Sequence, residues 1–149
     1  MKPSKVKQAL TISFLLLSLA ACSQDYGTRT MSNSKKSQVV YMDVSAYAYT
    51  AYNIDGMSIN GRELMTAGGG GLTTGEAFDL GTQQVSWKDA KDGTVHTAKN
   101  TVILNKPTRD ETYLGIHIYP DDTVEFIPSS DWPKKTEKGR AMRKIARGE

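Results

Sequence analysis

Thr112-Tyr113-Leu114-Gly115-Ile116-His117-Ile118-Tyr119 alternates without a break. Leu114, Ile116 and Ile118 share one parity, and Tyr113, His117 and Tyr119 share the other. Such period-two alternation marks a strand with one apolar face. Pro120-Asp121-Asp122 then reads as a turn, because Pro presets φ and Asp bonds back to its own backbone. Val124, Phe126 and Pro128 follow on a returning strand. Upstream, residues 83–88 and 95–104 read as two strands joined at Asp92-Gly93. Residues 38–52 are rich in Val, Tyr and Thr, with Val40, Met42, Val44, Ala46 and Ala48 on one parity. Ile54, Met57 and Ile59 lead into Asn60-Gly61, whose tolerance of positive φ makes it a strong hairpin signal. Residues 66–76 read as a glycine-rich loop. Six to eight short strands with tight turns and no long helical period point to a mostly β chain, a single antiparallel β-sandwich over residues 37–133.

The flanks differ in character. In residues 134–149, Ala141, Met142, Ile145 and Ala146 fall on one helical face, ringed by Arg140, Arg143, Lys144 and Arg147. A helix this short is marginal alone in water. A frayed, solvated basic tail is the first expectation. A clasp on an acidic body and a patch for anionic lipid or a partner are the alternatives. At the other end, Lys2, Lys5 and Lys7 precede the apolar run Ala9 to Leu19, which closes on Leu19-Ala20-Ala21-Cys22. This is the layout of a secretory signal over residues 1–21. The run is shorter than the roughly 20 residues needed to span a bilayer. The tetrad resembles the bacterial lipobox, which implies acylation of Cys22, cleavage before it and a lipid anchor. Ser23 in the next position implies the outer membrane, facing the periplasm. Residues 22–36 are polar and aperiodic, a tether of roughly 20 Å by random-coil scaling.

Removing residues 1–21 changes the charge. The full chain carries 19 basic and 16 acidic side chains, but the expected mature chain has 16 of each. Residues 37–133 hold a net −7 and residues 134–149 a net +5. An acidic body with basic ends is a poor partner for nucleic acid, which needs a basic face against phosphates. It can instead steer toward a basic protein surface. Cys22 is the only cysteine, so its acylation leaves no thiol for a disulfide or a thiolate metal site.

No catalytic constellation stands out. Gly68-Gly69-Gly70-Gly71 could serve an oxyanion hole, but the nucleophile elbow G-x-S-x-G that accompanies one is missing. The string Gly56-Met57-Ser58-Ile59-Asn60-Gly61 has the wrong spacing and lies in a hairpin. No Lys-Ser/Thr follows the glycines, so they are not a P-loop. His96 and His117 lack the spaced partners of a zinc site, and His117 reads as structural or solvent-facing. The pairs Asp110-Glu111 and Asp121-Asp122 sit at turns, where carboxylates cap and solubilise. The chain therefore reads as a binding protein with no metal, no cofactor and no enzymatic activity, monomeric when free.

Tyr52-Asn53, Ile59-Asn60-Gly61, the four glycines 68–71, Val85-x-Trp87 and the segment 113–125 occur in this order. Over roughly residues 40–128 that order resembles a family of short bacterial lipoproteins, domain of unknown function 3304. Its pattern includes a Cys-Cys pair after the glycines and a Pro-x-x-Trp. Leu72 to Gly81 has neither here, so roles tied to those cysteines do not carry over. The resemblance implies an immunity lipoprotein that occludes a phospholipase effector delivered by type VI secretion. An envelope assembly or adaptor lipoprotein is the alternative. The expected contacts are Gly68, Gly69, Gly70, Gly71, Leu72 and Thr73, with Tyr52, Asn53, Asp121 and Asp122. Aromatic anchors dominate affinity at such interfaces.

Overall fold

A computed structural model describes residues 38–65 and 72–149. Residues 1–37, on which the expected signal, Cys22 and expected tether fall, and residues 66–71, with Gly68 to Gly71, lie outside the described residues. The first strand, β1 (Val39–Ala48), puts Met42, Val44 and Ala46 inward, as their parity requires. β2 (Ile54–Ile59) and β3 (Arg62–Met65) form a hairpin whose two-residue turn is Asn60 (φ 52°) and Gly61 (φ 77°). Both angles are positive, as a turn that follows the right-handed twist of its strands demands.

β4 (Leu72–Asp79) pairs antiparallel with β1, from Val39↔Asp79 to Ser45↔Leu72. The glycine-rich loop expected over residues 66–76 therefore gives way to strand at Leu72. The register slips between Met42 and Val44, and there Gly75 (φ 66°) donates its N–H to Asp43 Oδ1 at 2.8 Å. Such a bulge suits a glycine and hides the strand's period.

Two single strands expected from the sequence are each broken in two. β5 (Gly81–Gln83) pairs with β8 (Val102–Leu104), while β6 (Val85–Asp89) pairs with β2 and with β7 (Val95–Thr97). The break between β7 and β8 is built by Asn100. Its side chain accepts from Val124 N–H at 2.8 Å and donates to Val124 C=O at 2.9 Å, taking the place of a neighbouring strand. Asn100→Ala strips both bonds and should lower stability by about 1–3 kcal/mol, read as a shift in the urea midpoint at unchanged slope.

β9 (Tyr113–Ile118) and β10 (Val124–Ser129) complete the strands among the described residues. One sheet has the order β10-β9-β1-β4, a second β3-β2-β6-β7, and β5-β8 forms a two-stranded ribbon. Among the described residues every pairing is antiparallel except β1 with β9, which run parallel from Asp43↔Tyr113 to Ala48↔Ile118. Parallel neighbours need a long crossover, and here strands β2 to β8 supply it. Met42, Val44, Phe78, Leu114, Ile116, Ile118 and Val124 of the first sheet meet Ile54, Met57, Ile59, Val85 and Trp87 of the second in one apolar cluster, with Val102 and Leu104 of the ribbon. The result is a mostly β, sandwich-like domain.

Alternation in 112–119 correctly marks the inner face, but the outer face is buried as well: His117 is 1% and Tyr119 0% exposed. The cover is the C-terminal segment, so the solvated tail gives way to a docked helix. α1 (Glu137–Arg147) starts at Thr136, whose hydroxyl accepts from Gly139 N–H at 3.0 Å. It ends at Gly148 (φ 70°), whose N–H reaches Ile145 C=O at 3.1 Å. Glu137 in the first turn and Lys144 and Arg147 in the last suit the helix dipole. The helix seats its first turn: Gly139 is its buried residue, and Ile145, expected on the apolar face, is 80% exposed.

Beneath α1 lies a row of stacked rings, Tyr47–His117–Tyr49–Tyr119, with successive centroids 5.3, 5.9 and 5.4 Å apart. Tyr49 hydroxyl accepts from Thr136 N–H at 2.8 Å and lies 3.0 Å from His117 Nδ1, to which it can then donate. Tyr47 hydroxyl donates to Pro133 C=O, and Tyr119 hydroxyl donates to Glu125 Oε2 at 2.7 Å. Lys138 pairs with Glu125 and sits 4.0 Å from the centre of the Tyr119 ring.

Burial holds the His117 pKa below its ordinary 6.5, with the nearby Glu125 opposing the shift. Burial likewise pushes the Tyr119 phenol up to about 12 from 10.0, with bonds to Thr136 and Glu125 acting in opposite senses. Both groups therefore stabilise the fold while neutral. The His117 contribution is complete above pH 6.5 and is lost as pH falls through its lowered native pKa. The Tyr119 contribution is complete below pH 10 and is lost as pH rises toward 12. Urea midpoints should therefore drop from about pH 7 to about pH 5.5, above the carboxylate range. His117→Gln, which does not titrate, should flatten that slope.

Candidate partner-binding surface

The loop after β1 turns sharply at Thr50, whose hydroxyl donates to Tyr52 C=O at 2.7 Å. That turn sets the Tyr52 ring against β6 and β7. Trp87 is 1% exposed, and its indole N–H would be orphaned without an acceptor; it donates to the Tyr52 hydroxyl at 3.1 Å. His96 on β7 stacks on both rings, 4.9 Å from Tyr52 and 5.9 Å from Trp87.

Asp122 reaches the same place from the β9–β10 turn. Its backbone takes the left-handed region (φ 63°), and Lys99 N–H bonds its C=O at 2.9 Å. Its carboxylate pairs with Lys99 Nζ at 2.9 Å and lies 3.6 Å from His96 Nδ1. Tyr52 and Asp122, 70 positions apart, thus meet through His96.

The chemistry of this group favours contact over proton relay. Tyr52 and His96 meet face to face, and the phenol hydroxyl is engaged by Trp87. Desolvation raises the Tyr52 pKa above 10.0; the bond from Trp87 opposes this, while Asp122 and Asp89 add to it. The phenol therefore stays protonated and is no nucleophile near neutrality. A nearby pocket of about 520 Å³, between Gly61 and Asn100, is lined by no ionisable side chain.

The other expected contacts scatter. Asn53 is exposed, and its C=O accepts from Ala90 N–H at 2.8 Å. Asp121 is tied to its own turn, accepting from Thr123 hydroxyl at 2.7 Å, and that bond lowers its pKa. Thr73 sits in β4, its hydroxyl bonded to Leu64 C=O at 3.2 Å, and Leu72 is a backbone partner of Ser45. Neither joins the aromatic group. His96, Lys99 and Trp87 belong to this group without being among the contacts expected from the sequence. The single trace of them in sequence is Val85-x-Trp87, since a buried Trp N–H demands a partner.

Among the described residues no group of three or more His, Cys, Asp or Glu is placed to hold a metal ion, and no helix is long and apolar enough to cross a membrane. The class these features define is a β-sandwich-like domain with a docked C-terminal helix. No protein-family model, curated protein or solved structure matches the chain.

Proposed function

We propose that this chain is a lipid-anchored periplasmic lipoprotein of the outer membrane that binds and neutralises a lipase-type effector of type VI secretion, with no catalytic activity of its own. The observation that carries the reading is the ordered motif set from Tyr52-Asn53 to residues 113–125, behind the lipobox-like Leu19-Ala20-Ala21-Cys22. The Tyr52–His96–Asp122 group supports it: stacked rings lose little side-chain freedom on binding, and an acidic body steers a basic partner.

The test is periplasmic production of a lipase encoded beside this chain, with and without the protein. Protection should require it, and Tyr52→Ala combined with Asp122→Ala should weaken lipase binding about tenfold or more. Equal survival of cells lacking the protein overturns the reading. Capture of an integral envelope complex in place of a lipase overturns it in favour of an adaptor.

A further inference from the structure

A second surface feature sits where α1 meets the loop after β1. A pocket of about 120 Å³ is lined there by Tyr47, Thr50, Tyr52 and Asn53 from one side and by Lys135 and Arg143 from the other. No Asp or Glu lines it, although the body around it carries a net −7. Among the described residues neither Lys135 nor Arg143 makes an ion pair; Lys138 and Arg140, their neighbours on the same segment, both do. Arg143 is half-buried, two turns into the helix.

Two unpaired cations converging on a small polar pocket define a site for an oxyanion. Arg presents a planar fork of donors that matches phosphate, and Lys adds a point charge. A volume of about 120 Å³ is ample for a phosphate group. Formation of the site depends on docking of α1, because Gly139 must lie on Tyr49 before Arg143 can face Thr50.

We propose that this pocket binds a phosphate group, either as the free ion or as the head group of an anionic phospholipid. The site is separate from the Tyr52–His96–Asp122 face, sharing Tyr52 alone, and stands whether or not a lipase is the partner.

The test follows backbone amide shifts of the full chain. Inorganic phosphate, added against sodium chloride of equal ionic strength, should move Thr50, Asn53 and Lys135 along a saturable curve. Arg143→Gln and Lys135→Gln should each weaken that binding about tenfold, and Arg147→Gln, on the exposed last turn, should not. Dihexanoyl phosphatidylglycerol below its micelle concentration separates the sources. Saturable shifts at the same amides assign the site to a lipid head group, and shifts with phosphate alone assign it to the free ion. Shifts no larger than those with chloride, or unchanged in Arg143→Gln, overturn the proposal.

Discussion

Tyr49→Ala should lower stability by about 3–5 kcal/mol, the range for deleting a large buried aromatic side chain. Tyr49 is 1% exposed and belongs to neither hydrophobic inner face. Its ring stacks on His117 and Tyr119, and it meets the backbone of α1 at Gly139. Removing it leaves a cavity between sheet and helix. It also leaves Thr136 N–H, at the helix start, without its acceptor. Tyr49→Phe separates the two contributions: the ring stays, the hydroxyl goes, and the loss should fall to about 1–3 kcal/mol. Chemical denaturation of both variants checks the sizes. Hydrogen exchange in residues 137–147 checks the location, and protection there should fall before it falls in β1 or β9. An unchanged denaturation midpoint in Tyr49→Ala would remove the clasp from this account.

Gly139→Ala should destabilise by about 2–3 kcal/mol, toward the upper end of overpacking costs. The sign is the test, because Gly→Ala inside an exposed helix ordinarily stabilises by about 1 kcal/mol. Here a Cβ would lie 2.2–2.4 Å from three carbons of the Tyr49 ring. That ring is held by stacking on both sides and by bonds to Thr136 and His117, so it cannot swing away. The helix must lift instead. Ala141→Gly, at an exposed position of the same helix, should lose only the propensity difference. A stabilised Gly139→Ala protein would show that α1 is not seated as described.

These two residues also show where reading a sequence stops. Alternation in 112–119 correctly places Leu114, Ile116 and Ile118 in the core, because side-chain parity is a local property of an extended chain. It is silent about what covers the other face. His117 and Tyr119 look solvent-facing until Pro133 to Gly139, 14 or more positions away, folds over them. Nothing in the basic segment's sequence singles out Gly139; in the fold it is the contact point. The same limit applies to Val95–Leu104, where β-rich composition suggests one strand and Asn100, by bonding Val124, makes two.

The amino-acid sequence alone determined the mostly β class, the inward faces of β1 and β9, the Asn60-Gly61 turn and the basic character of the C-terminal segment. Each rests on periodicity, turn chemistry or charge, which a short stretch of chain carries by itself. The tertiary structure decided the parallel pairing of β1 with β9, the docking of α1 by its first turn, the meeting of Tyr52 with His96 and Asp122, and the convergence of Lys135 and Arg143 on one pocket. Each of these joins residues distant along the chain. Their positions are set by which surfaces the core leaves to be covered, and no local pattern encodes that.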